Sequence, residues 1–224
     1  MNILDSIYEE VLKHLPQILS LRNQRVQKDD GSFVTEGDLL VQRLVMDLIQ
    51  QQEPGLVLLS EEMPLLPADW LTGRILVVDP IDGTENFTSG LPEWGVALCL
   101  YENGEHLDSL LFCPEMGLKV RHGDRSAIEY SRIAGISSSL TREDLLRLEP
   151  GYEYRIMGCC VYNMINVLRG AYATFENPKG AWIWDILGAL NIARKAGLNV
   201  TVNEQPYEGR FLEPNRKYRF KISR

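Results

Sequence analysis

Residues 75–84, Ile-Leu-Val-Val-Asp-Pro-Ile-Asp-Gly-Thr, constrain the fold more than any other stretch of the chain. Four apolar residues bounded by turn formers read as a buried strand. Asp79 and Asp82 therefore sit where a strand ends and the chain turns. Pro80 fixes its own φ and stiffens the turn, and Gly83 permits a backbone twist that a Cβ would obstruct. Two carboxylates three residues apart on a stiff turn can converge on one point. Like charges held that close are unfavourable unless a proton or a cation lies between them. Hard oxygen ligands select Mg2+, Mn2+ or Ca2+ over zinc.

Other acids fall at the ends of other expected elements. The run Leu56–Leu59 reads as a second strand and ends in Ser60-Glu61-Glu62. Trp184-Asp185 precedes Ile186, Leu187, Ala189, Leu190 and Ala193, one apolar helix face with Gly197 as its stop. Asp185 then lies in the first turn, where the helix dipole favours negative charge. Val34-Thr35-Glu36-Gly37-Asp38 opens another helix, with Leu39, Leu40, Leu44, Val45, Leu48 and Ile49 at helical spacing. Taken singly these are ordinary turns, caps and solvated loops. Four acid-bearing element ends in one chain are not.

Asp79-Pro-Ile-Asp-Gly-Thr-x-Asn-Phe87 resembles the first signature of the inositol monophosphatase family. Trp184-Asp185 and the following helix resemble the second, with Leu187-Gly188-Ala189 in place of its small residues. Ser60-Glu61-Glu62 is similar to the family's Gly-Glu-Glu, and Val34–Asp38 to its Val-Thr-x-x-Asp. All four follow the family's order, so the resemblance spans roughly residues 1 to 203. It implies an α+β fold, the layered αβαβα sandwich of the sugar-phosphatase type. It also implies a Mg2+-dependent phosphomonoesterase, with two or three cations per site and Mn2+ as a substitute.

The resemblance assigns roles residue by residue. Glu61, Asp79 and the backbone carbonyl of Ile81 would hold one cation; Asp79, Asp82 and Asp185 a second; Glu62 would assist at a third. Asp38 and Thr84, with Glu61, form the implied catalytic group, Asp38 and Thr84 positioning and deprotonating the attacking water. Gly83, Thr84, Asp185 and Glu176 are the implied substrate contacts, Glu176 as a hydroxyl acceptor. Lys28 would support the site electrostatically. Lithium sensitivity and a homodimer are further implications.

Departures from the family pattern concern the alcohol pocket. The Gly-x-Gly-Ala-x-x-Asn-Gly segment is absent from the region Gly117 to Ala127, and the stretch Met63 to Gly73 is short. Met157-Gly158-Cys159-Cys160 stands where the family carries Gly-Ser or Gly-Thr. The expected substrate is a small polyol or sugar phosphate, and the lost segments predict a permissive pocket. The alternatives are a nucleotide 3′-phosphatase, a sugar bisphosphatase, or a catalytically weak regulatory protein on the same fold. Asn86-Phe87 favours the inositol-like branch.

Composition bounds these readings. The 224 residues, 45% hydrophobic, suffice for one domain over 1–224 with two lobes, about 1–150 and 151–224, joined at Pro150-Gly151. A net charge of −8 argues against nucleic acid as a partner. Cys99, Cys113, Cys159 and Cys160 show no disulfide or Cys-x-x-Cys spacing, which fits the cytoplasm. No apolar run reaches the ~18 residues of a membrane span.

The element order reads helix 3–20, helix 35–52, strand 56–60, strand 74–79, strands 95–101 and 107–113, helix 141–147, helix 160–169, strand 171–175, helix 184–196 and strand 199–202.

Overall fold

In the computed structural model, which describes residues 2–28, 31, 33–64, 73–124 and 130–224, the chain opens with helices α1 (Ile3–Lys13) and α2 (Leu15–Ser20). The sequence predicts one helix here. Pro16 divides it, because a proline inside a helix lacks the N–H donor and its ring crowds the carbonyl of residue i−4. A two-stranded ribbon, β1 (Arg25–Gln27) and β2 (Phe33–Thr35), leads into helix α3 (Glu36–Gln52). Then follow β3 (Val57–Ser60), β4 (Arg74–Asp82), the short helix α4 (Thr84–Thr88), β5 (Gly95–Glu102), β6 (Glu105–Cys113) and β7 (Leu118–Arg121). These five strands form one sheet in the order β3-β4-β5-β6-β7.

The second half contributes β8 (Ile133–Ile136), α5 (Arg142–Leu146), β9 (Glu153–Ile156), α6 (Cys160–Leu168), β10 (Thr174–Ala181), α7 (Ile183–Lys195), β11 (Asn199–Val202), β12 (Gln205–Pro206) and β13 (Tyr218–Ser223). Its strands form a six-stranded sheet in the order β12-β11-β13-β10-β8-β9. Because β8 and β9 pair with each other, Pro150-Gly151 is a turn inside this sheet's own connection and not the joint between lobes. The second sheet begins by residue 133, earlier than the expected boundary near 151.

Strand alternation explains the layering. In β4, Ile75 and Val77 join the core that also holds α6 and α7, whereas Leu76 and Val78 join the core under α1 and α3. In β5, Ala97, Cys99 and Tyr101 face the first core, and Val96, Leu98 and Leu100 the second. A strand buried on both faces cannot show polar alternation, which is why 75–78 reads as a continuous apolar run. The layers thus run helices, sheet, helices, sheet, in keeping with the expected sandwich. Helix α5 is five residues long with none of them buried.

Helix α7 lies close on the first sheet. A Cβ at Gly188 would stand 3.2 Å from Leu111 Cδ2 and 3.3 Å from the Leu98 carbonyl. Among the described residues no helix is long and apolar enough to cross a membrane.

Candidate metal centre

The parity that feeds two cores also aims the acids. Continuing Ile75 and Val77, Asp79 points to the side of the sheet on which α7 packs, and it is 1% exposed. The β4–β5 ladder shifts register between Asp79 and Asp82, so Pro80 and Ile81 form a bulge. The Ile81 amide donates to Asp79 Oδ1 at 3.1 Å, and Thr84 Oγ1 donates to the Ile81 carbonyl at 3.1 Å. Gly83 closes the turn at φ +83°, and a Cβ there would lie 2.8 Å from Cys159 Cβ. Conformation and space therefore both require glycine.

Asp185 arrives from α7. It is the third residue of that helix, and its Oδ2 accepts the Trp182 amide at 2.8 Å, a capping arrangement that fixes the carboxylate at the helix N-terminus. Glu61 follows β3, which runs parallel to β4. One carboxylate oxygen from each of Glu61, Asp79 and Asp185 lies within 4.8 Å of the other two. Asp79 Oδ2 is buried and meets no donor.

Electrostatics follow from this crowding. Burial pushes the Asp79 carboxyl well above the ordinary carboxylate range, and the charges of Glu61, Asp185 and Asp82 add to it. Burial likewise raises Asp185, with Asp82 and Glu61 reinforcing the effect. Asp82 is pushed up to about 6 by burial, less than its neighbours, because the Cys159 thiol and the Val161 and Gly83 amides donate to its carboxylate. The Cys159 Sγ–Asp82 Oδ2 distance is 2.9 Å.

An orphaned buried oxygen, three converging carboxylates and an all-oxygen donor set fit a hard divalent cation. Lys28 supplies positive charge at the edge of the cluster, 3.0 Å from Glu61 Oε1 and 2.6 Å from Glu62 Oε1. Burial lowers the lysine's proton affinity, but the two glutamates more than offset this and hold the ammonium charged.

The remaining expected residues divide. Asp38 is buried at the start of α3, where its Oδ2 accepts the Thr35 amide at 2.8 Å and the Thr35 hydroxyl at 2.5 Å. Its carboxyl is pushed up to about 7, first by burial and further by Glu62 and Glu61. The hydroxyl of Thr84 turns to Ile81 and not to Asp38.

Glu176 is not brought to the cluster. Along β10, Phe175 and Asn177 point inward, so Glu176 faces the opposite side of the sheet, 3.6 Å from Lys221 Nζ. Period-two alternation turns its side chain away from the face that carries Phe175 and Asn177.

A cavity of about 210 Å³ opens beside Asp82, lined by Ser137–Ser139, Met157–Cys160, Phe175, Asn177, Lys179 and Gly180. The bond of Cys159 to Asp82 is not legible in the sequence, because it joins two segments 77 residues apart. Residues 65–72 and 125–127 of the two departing segments lie outside the described residues.

Comparison with known proteins agrees with the signatures. The model of the inositol monophosphatase family matches residues 2–126. Fructose-1,6-bisphosphatase/inositol-1-monophosphatase of Thermotoga maritima is 30% identical over 213 residues, covering 84% of this chain and 79% of that protein. A solved Thermotoga maritima IMPase superposes with a TM-score of 0.75 at 25% identity, covering 96% of this chain and 91% of the other. An IMPase/NADP phosphatase solved with Mg2+ and phosphate shares the fold, with a TM-score of 0.79 at 19% identity over 96% of this chain and 86% of that one. Signatures, fold and relatives agree: the chain belongs to the inositol monophosphatase family.

Proposed function

We propose that this phosphoric monoester hydrolase cleaves a small polyol or sugar phosphate with the help of divalent cations, Mg2+ first and Mn2+ as a substitute. The observation that carries the reading is the convergence of Glu61, Asp79 and Asp185 around the donor-free Asp79 Oδ2. These three would hold the cations, with the Ile81 carbonyl and Asp82 completing the donor set and Glu62 adding a further carboxylate. Cations bound there supply charge neutralisation and water activation for phosphoryl transfer.

The chain's own residues do the rest. The Cys159 thiol and the Val161 amide fix the rotamer of Asp82. The Asp185 carboxylate is oriented by its helix cap. Asp38 and Thr84 are the proposed pair that orients the attacking water and takes its proton. Asp38 stands beside Glu61 and Glu62, and Thr84 follows the acidic turn directly. The Gly83 amide is already directed at Asp82, so of the two expected backbone contacts to phosphate the Thr84 amide is the one retained. Phosphate monoesters hydrolyse so slowly unaided that such preorganised charge is the main requirement. A cytoplasmic location and a homodimeric state belong to the same proposal.

Phosphate release from inositol 1-phosphate, glycerol 2-phosphate and a hexose phosphate, with Mg2+ and then with EDTA, tests it. Turnover should stop on chelation, and LiCl should inhibit beyond a matched NaCl control, because Li+ brings half the charge of Mg2+ to the same ligands. Undiminished turnover after exhaustive chelation refutes the metal centre.

A further inference from the structure

Two tryptophans flank the start of α7, and only Trp184 belongs to a signature motif. The other, Trp182, is the N-cap residue of the helix. Its backbone is extended, at φ −76° and ψ 165°, and its amide donates to Asp185 Oδ2 at 2.8 Å. An N-cap serine, threonine or aspartate holds such a turn through its own side chain. An indole has no acceptor and cannot do so. Another contact must restrain this backbone.

The ring supplies it. Trp182 stacks on Trp184, with centroids 5.4 Å apart and planes 22° from parallel. Trp184 is 8% exposed and packs in the core shared by α6 and α7, so the stack has a fixed base. Lys217 Nζ lies 5.4 Å from the centroid of the Trp182 ring. The lysine stands at the start of β13, whose Tyr218 pairs with Ala181, one residue before Trp182. Gly180, at φ +86°, makes room for this approach: a Cβ there would stand 3.2 Å from Lys217 Cβ.

Stacked aromatic pairs are worth more than the area they bury, and a cation at the ring adds to them. These contacts therefore restrain the residue whose amide orients Asp185. Helix termini fray where nothing holds them, and a carboxylate bonded to a fraying amide turns with it. We propose that Trp182 is a positioning residue for Asp185. Its ring, held by Trp184 and Lys217, fixes the N-cap amide and through it the approach of the Asp185 carboxylate to Glu61 and Asp79. This rests on the metal-centre reading above.

The test is calorimetric titration with Mg2+ on the wild-type protein, Trp182→Phe and Trp182→Leu. Trp182 is half-buried, and both variants keep apolar bulk there. Only phenylalanine keeps a planar face to stack. Trp182→Leu should weaken Mg2+ binding about threefold to tenfold, the range an aromatic pair can contribute, and Trp182→Phe should stay within about twofold. In phosphate release the leucine variant should need correspondingly more Mg2+ for half-maximal turnover and recover its kcat at saturation. Thermal unfolding in EDTA separates positioning from packing: a lower Tm in Trp182→Leu with unchanged Mg2+ affinity overturns the proposal. So does equal affinity in the leucine and phenylalanine variants, or a loss below about threefold in Trp182→Leu. Wild-type protein that binds no Mg2+ overturns the metal centre as well.

Discussion

Asp79→Asn should stabilise the protein without metal and disable it with metal. Asp79 is buried and shares with Glu61 and Asp185 a space in which oxygens from all three lie within 4.8 Å. At an effective dielectric constant near 20, one pair of unit charges at that distance costs about 3.5 kcal/mol. Lys28 offsets part of the Glu61 charge, and proton uptake by the raised carboxyls relieves part of the rest. The net relief from removing the Asp79 charge is then about 2–3 kcal/mol. Asparagine retains an Oδ1 acceptor for the Ile81 amide, so the turn keeps its bond.

For a chain of this size that gain raises Tm by roughly 4–12 °C. The assay is thermal unfolding followed by circular dichroism, in EDTA and in Mg2+, beside phosphate release. In EDTA the variant should melt above the wild type. Mg2+ should raise the wild-type Tm by mass action and leave the variant nearly unmoved. Turnover should fall by about a thousandfold or more, because losing the Asp79 carboxylate would weaken the hold of the cluster on divalent cations. A variant that melts at or below the wild type in EDTA, and still gains stability from Mg2+, would refute the assignment.

Two further outcomes follow from local geometry. Gly83→Ala should cost about 2–3 kcal/mol, combining left-handed strain with a Cβ 2.8 Å from Cys159 Cβ, and should impair turnover by shifting Asp82; Gly90→Ala, at φ +80° in open space, isolates the strain at about 1 kcal/mol, and equal losses at the two sites in urea unfolding would discount the clash. His106 is lowered to about 4, chiefly by burial and then by Lys195 and His122, with Asp108 opposing and Arg194 assisting. Its folded value lies below the unfolded one, so its stabilising contribution is full above about pH 6.5 and is lost as pH falls toward 4, by about 1–2 kcal/mol after allowance for solvent at the ring. Urea midpoints between pH 7 and 4.5 should fall less steeply in His106→Gln; parallel curves would assign the acid sensitivity to carboxylates alone.

The acidic turn was legible because its signal is local. Asp79, Pro80, Asp82 and Gly83 need only one strand and one tight turn, and regular pairing with β5 breaks just after the apolar run, between Asp79 and Asp82. The long helices α3 and α7 were legible for the same reason, since caps and apolar spacing lie within a single segment. Strands β8 and β13 were missed for different reasons. Ile133–Ile136 contains Ala134 and Gly135, which carry no β preference of their own, and Gly135 is tight against Tyr172, Phe175 and Asn163. Tyr218, Phe220 and Ile222 are buried between exposed or half-buried Arg219 and Lys221, so the alternation of β13 is present in the sequence and was overlooked. Glu176 failed on parity: a strand displaced by a few residues from 171–175 to Thr174–Ala181 changes which side chains face the cavity. The partners of Asp82 and the placing of Lys28 depend on segments far apart in sequence, which no local pattern records.

The central sheet, with one core on each face, has a consequence for the order in which the molecule is made. A ribosome delivers Glu61, Asp79 and Asp82 about a hundred residues before Asp185. Until α6 and α7 emerge, Val77, Cys99 and Leu111 have nothing to cover them. A nascent chain ending near residue 130 therefore exposes one wet face of an otherwise finished sheet, and its acids lack the ligand borne by α7. Such a fragment should bind chaperones and bind divalent ions feebly. Docking of α7 then helps to cover the core it shares with α6 and delivers the last carboxylate in the same event, so the acidic cluster is completed only as that face of the sheet is closed.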